Sequence, residues 1–106
     1  MEDHVKRLLA AALLCLSGPV LALTPQEACK KISAMAGDAM QARQDGDLME
    51  DAMESVGDQS KFSNAMVARA YEVEVAEGSG AQKKAVSDFR NEAYGECYRN
   101  LIEPAK

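Results

Sequence analysis

A chain of 106 residues carrying 17 acids against 12 lysines and arginines, net charge −5, is the size of one domain and has no electrostatic basis for holding nucleic acid or anionic lipid. Three cysteines, one histidine and no tryptophan leave little material for His-dependent catalysis.

Residues 1–22 have the pattern of a secretory signal peptide. Lys6 and Arg7 form a basic start, diluted by Glu2 and Asp3. An apolar run follows from Leu8 to Leu16, then Ser17-Gly18-Pro19 breaks the helix, and Val20-Leu21-Ala22 offers a cleavage site. The run is too short for a bilayer span, which takes about 20 apolar residues. Cys15 follows Leu14, which is not the small residue a lipoprotein signal requires, so no lipid anchor is expected. Cleavage leaves residues 23–106 as a single helical domain of 84 residues. It also removes His4 and Cys15, as many acids as bases, and every cysteine except Cys29 and Cys97. A core of that size is marginal, and in an oxidising compartment a covalent crosslink is the expected reinforcement. The expected location is periplasmic or secreted.

The mature chain reads as four helices. Thr24-Pro25-Gln26-Glu27 is a capping box with proline at the first helical position. Cys29, Ile32, Met35, Ala36, Ala39 and Met40 then share one face, and Asp45-Gly46 ends the helix. Gly37 weakens it by about 1 kcal/mol against alanine. Asp47, with Glu50 three residues on, is expected to cap a short second helix buried through Leu48, Met49, Ala52, Met53 and Val56, and Gly57 stops it. The third helix follows the Asp58–Ser60 linker, with Phe62, Ala65, Met66, Arg69, Val73 and Ala76 on its inner face. The β-branched Val73-Glu74-Val75 stretch predicts an end near Tyr71-Glu72. After Gly78-Ser79-Gly80 the fourth helix places Ala85, Phe89, Ala93, Cys97 and Leu101 at steps of four, until Pro104. No convincing strand is present.

The fold class predicted is therefore all-α: a small bundle of about four helices closed by one disulfide. Cys29 and Cys97 both fall on apolar faces, so a bridge between them lays the start of the first helix beside the end of the fourth. A redox role is disfavoured because the two are 68 positions apart rather than in a C-x-x-C pair. The five methionines that outlast the leader lie at core spacing, without the dense clustering of a copper site, and read as core filler. Neither a metal site nor a cofactor site is expected, and no Ser–base pair, phosphate loop or carboxylate pair marks a catalytic centre. Arg43 and Arg69 stand out because each falls within an apolar face. Arg43, Arg69 and Glu72 are therefore the candidate ligand or buried ion-pair residues: either an internal carboxylate such as Glu50 or Glu72 pairs with the arginines, or their heads snorkel to the rim, or the arginines hold a small anion or carboxylate ligand between helices.

The segments Ala42-Arg43-Gln44-Asp45-Gly46 and Ala70-Tyr71-Glu72, with Phe89, Tyr94 and the early and late cysteines, resemble a group of short secreted proteins of Gram-negative bacteria with no assigned activity. The resemblance covers nearly the whole mature chain and implies a periplasmic helical fold. In that group a proline often follows the A-Y-E segment, and here Val73-Glu74 stands in its place. A looser likeness, of type rather than motif, is to the acid-stress chaperones of the periplasm. The function expected is a non-catalytic binding or interaction module with an unknown protein partner, no nucleic acid, and no membrane insertion once the leader is removed. The alternatives are an acid-stress chaperone, and an inhibitor or immunity protein whose acidic surface blocks a basic enzyme.

Overall fold

The computed structural model describes residues 23–105, in which four α-helices and no strand are found. The leader reading, with Cys15 and His4, lies outside these residues. Helix α1 spans Pro25–Gln44, α2 Met49–Ser55, α3 Lys61–Tyr71 and α4 Ser79–Cys97. A π-helical turn, Tyr98–Ile102, and a 3₁₀ turn, Glu103–Ala105, continue α4.

The ends of α1 follow from its sequence. Thr24 has extended backbone, and its Oγ1 accepts from the Glu27 amide at 3.1 Å, satisfying one of the donors that a helix start leaves open. At the other end Gly46 takes φ 83°. Its N–H donates to the Arg43 carbonyl at 3.1 Å and the Asp47 N–H to the Ala42 carbonyl at 3.0 Å. These two bonds are the Schellman closure that a C-terminal glycine permits. Gly57, at φ 69°, ends α2.

Helix α1 is the spine of the bundle, packing most extensively on α4 and next on α3, while α2 rests on α3. The main core joins Ala36, Ala39 and Met40 of α1 with Val67 and Ala70 of α3 and Phe89 and Ala93 of α4. The many alanines let the helix axes approach, and Phe89, 6% exposed, fills the space they leave. A second, smaller core surrounds the disulfide between Cys29 and Cys97, whose Cα atoms are 5.5 Å apart. The crosslink closes the start of α1 on the end of α4, as the apolar faces predict.

Four expectations need correction. Asp47 does not cap α2: Leu48 occupies the N-cap position without a side-chain bond, and both Leu48 and Met49 are exposed. The buried face of α3 is turned by one position, to Ser63, Met66, Val67 and Ala70, and Phe62, Ala65 and Val73 lie outside it. Serine at 63 concealed this face, because its hydroxyl is buried by donating to the Val56 carbonyl at 2.9 Å. Leu101 is 46% exposed and Ile102 is buried instead. The π turn that begins at Tyr98 accounts for this: a five-residue repeat carries the stripe from Cys97 to Ile102, where a four-residue step would have reached Leu101. Finally, the methionines are not uniformly core. Met40 and Met66 are buried, Met35 and Met53 half-buried, and Met49 exposed.

Candidate functional site

Among the described residues Arg43, Arg69 and Glu72 share no side-chain hydrogen bond or ion pair with one another. Each arginine instead organises its own surroundings, and Glu72 pairs with neither. Its side chain is exposed, its backbone N–H closes α3 by donating to the Arg69 carbonyl at 3.2 Å, and its charge reaches Arg69 only at longer range. Glu50, the other carboxylate considered, is exposed on α2.

Arg43 sits in the last turn of α1. Its Nε donates to the Val73 carbonyl at 2.8 Å, and its guanidinium lies over the Tyr71 ring, 5.4 Å from the centroid. The neighbouring Gln44 is 3% exposed; its Nε2 donates to the Glu74 carbonyl at 3.1 Å and its Oε1 accepts from the Ala76 N–H at 2.8 Å. The Tyr71 hydroxyl returns the connection by donating to the Asp47 carbonyl at 2.8 Å. Burial, and secondarily the Asp47 carboxylate, push the Tyr71 phenol above its ordinary pKa. The A-R-Q-x-G and A-Y-E segments thus form one clasp, in which α1 side chains satisfy the backbone of 73–76 that no helix or strand serves. The clasp reads as a structural device, because Arg43 Nε, both ends of the Gln44 amide and the Tyr71 hydroxyl are all engaged with the protein's own backbone.

Arg69 lies at the edge of a different feature. Its Nη1 and Nη2 donate to the two carboxylate oxygens of Glu96 at 3.1 Å each, and Nη2 lies 3.6 Å from Glu92. This fork-to-fork pairing holds the Glu96 carboxyl below the usual glutamate range and raises Arg69 further. The pair bounds a cleft of about 210 Å³ between α1, α3 and α4. Ile32, Met66, Ala93 and Cys97 line its interior, and Phe62 and Leu101 stand at its mouth, 54% and 46% exposed. On the far side of Phe62 and Ile32 a shallower depression continues over Met35 to Gly57 and Ser60. The result is a largely apolar strip on the surface, with the Arg69–Glu96 pair and Asn100 lining one part and Lys31 and Asp58 lining the other. Sequence reading found Arg69 and missed Glu96 and Glu92. The signal was available: the two acids are four apart on α4, so they share a face.

Neither family models, nor curated proteins, nor solved structures yield a match to this chain.

Proposed function

We propose that the protein is a non-catalytic, extracytoplasmic interaction module that receives an apolar side chain of a partner protein in the cleft between Phe62 and Leu101. The observation that carries this reading is the exposure of two large apolar side chains at the mouth of an apolar cleft edged by the Arg69–Glu96 pair. An apolar centre with a polar rim is the anatomy of a protein-binding hot spot. At about 210 Å³ the cleft falls below the 300–1,000 Å³ of sites that enclose free small molecules. It matches one inserted side chain better than a cofactor. The disulfide and the leader pattern support an oxidising compartment.

A photo-crosslinking residue at position 62 tests the proposal. One reproducible product is expected in the exported protein, lost when Arg69→Glu is added and absent when the crosslinker stands at Glu77. Equal products from both positions would show that the strip is merely sticky.

The acid-stress reading draws on one specific observation. The ion pair that bridges α3 to α4 at the mouth of the cleft depends on an ionised Glu96. Acid removes that charge and frees Arg69, widening access to the apolar strip. Suppression of client aggregation at low pH, and none at neutral pH, distinguishes this second reading.

A further inference from the structure

We infer that the open seam between α1 and α4 on the other flank of their contact is a binding site for a tetrahedral oxyanion, a phosphate or phosphomonoester group. The seam is an open depression of about 440 Å³ lined by Lys30 and Ser33 of α1 with Ser87, Arg90, Asn91 and Tyr94 of α4, of which Lys30, Ser87, Arg90 and Asn91 are exposed. Steps of three and four put each set on one helix face, so the two sets confront each other across the groove. Every lining residue carries at least one N–H or O–H donor and none is an acid. In a chain of net charge −5 such a lining is not a consequence of composition.

The seam is also built rather than incidental. Gly37 is buried in α1, and a Cβ placed on it would stand 2.7 Å from Cδ and 3.0 Å from Cγ of Arg90. The absence of that carbon lets the Arg90 stem lie flat across α1. Ser33, 7% exposed, meets Arg90 twice, at its backbone and at its side chain: the Ser33 hydroxyl donates to the Arg90 carbonyl, and Arg90 Nε donates to that hydroxyl, both long bonds of 3.4 Å. With Nε engaged, the two Nη groups remain, which are the fork that grips two oxygens of one anion. Among the described residues no carboxylate lies within ion-pair distance of Arg90 or Lys30. They share this with other described cations such as Arg43 and Lys61, whereas Arg69 is held by Glu96 and Glu92, and Lys84 by Asp88 at 2.6 Å. Arg90 is thus an exposed cation, steered over Gly37 by its contact with Ser33, whose counter-charge the described residues do not supply.

The test is a titration of the oxidised mature protein with sodium phosphate at constant ionic strength, followed by amide and arginine side-chain NMR. Saturable shifts are expected at Ser33, Ser87, Arg90 and Asn91. Affinity is expected to fall by about tenfold or more in Arg90→Gln, the loss of one charge-assisted fork. Lys30→Gln should weaken binding less, and Lys84→Gln not at all. Gly37→Ala removes no charge and improves helix propensity, yet should weaken phosphate by displacing the Arg90 stem; unchanged affinity in that variant would overturn the assigned geometry. Shifts that grow linearly, or that follow Lys84 as strongly as Arg90, would overturn the site. Parallel flotation with neutral vesicles, with and without phosphatidic acid, separates the sources. Arg90-dependent flotation only with phosphatidic acid assigns a lipid headgroup, and saturation by phosphate without flotation assigns a free phosphate or soluble phosphomonoester.

Discussion

The Arg43 guanidinium covers the Tyr71 ring at 5.4 Å while its Nε holds the Val73 carbonyl at 2.8 Å. One side chain at the end of α1 therefore fixes both the last residue of α3 and the irregular segment that follows. Only arginine meets both demands, because the planar group stacks and donates at once.

Arg43→Ala should cost about 1–2 kcal/mol, combining a cation–π contact with a charge-assisted bond to a backbone carbonyl. A double-mutant cycle with Tyr71→Leu separates the two parts. Coupling of about 0.5–1 kcal/mol is expected between the pair. The remainder should persist in the Tyr71→Leu background, since the bond to Val73 does not need the ring. Urea denaturation of the four proteins measures it. A coupling of zero would show that the stacking contributes nothing.

The clasp also shows where sequence reading reached and where it stopped. The ends of α1 and the stop of α2 were legible, since Thr24, Pro25, Gly46 and Gly57 act through their own backbone chemistry, whereas the start of α2 was not, because Asp47 makes no cap there. Also legible were the crosslink and the Phe89 stripe as far as Cys97, because helical period and apolar side chains coincide there. Arg43 was identified as unusual, but its acceptor was not. Its partner is a backbone carbonyl 30 residues away, and carbonyls carry no sequence signal. The face of α3 misled because Ser63 is buried by a hydrogen bond, while Phe62, the residue that looks most like core, is exposed. An apolar residue left outside is a feature of surfaces that bind, and helical periodicity alone cannot distinguish it from packing.

The end of α4 supplies a sharper comparison. A four-residue period favours Leu101 as the buried residue, and the π turn substitutes Ile102. Ile102→Ala should therefore cost about 2–5 kcal/mol, as for a buried aliphatic. Leu101→Ala should stay within about 0.5 kcal/mol, as for an exposed site. Thermal unfolding of the two variants under non-reducing conditions decides between them. The reverse order would mean that α4 continues as a regular α-helix to Pro104.

Acid should weaken the Arg69–Glu96 bridge in a defined direction. The hydrogen bonds from Arg69, and then its charge, hold the folded-state pKa of Glu96 below the unfolded value. The stabilisation is thus fully present above the ordinary glutamate pKa of about 4.3 and is lost as pH falls through the depressed folded value. Both side chains are more than two-fifths exposed, so solvent screening limits the contribution to about 0.2–1 kcal/mol. Wild type should exceed Glu96→Gln by that amount at neutral pH, and the two should converge in strong acid. A difference that grows on acidification would contradict the assigned direction.

The crosslink and Phe89 together carry the bundle. The disulfide closes a loop of 68 positions, and the chain-entropy model assigns such a closure about 4 kcal/mol. Phe89 is 6% exposed and shares one core cluster with α1 and α3. Its core neighbours on the other helices are mainly alanine, valine and methionine, so no second aromatic ring in that buried cluster replaces it. Truncating a core phenylalanine costs about 3–5 kcal/mol. Each loss alone is comparable to the lower end of the 5–15 kcal/mol that holds a small domain together. Phe89→Ala should therefore be only partly folded with the disulfide intact and largely unfolded after reduction, while reduced wild type keeps measurable helix. Helical circular dichroism against urea, with and without reductant, reads all four states. A Phe89→Ala midpoint within error of wild type in the oxidised protein would mean that the alanine-lined space collapses without cost, and that the crosslink alone sets the stability of the fold.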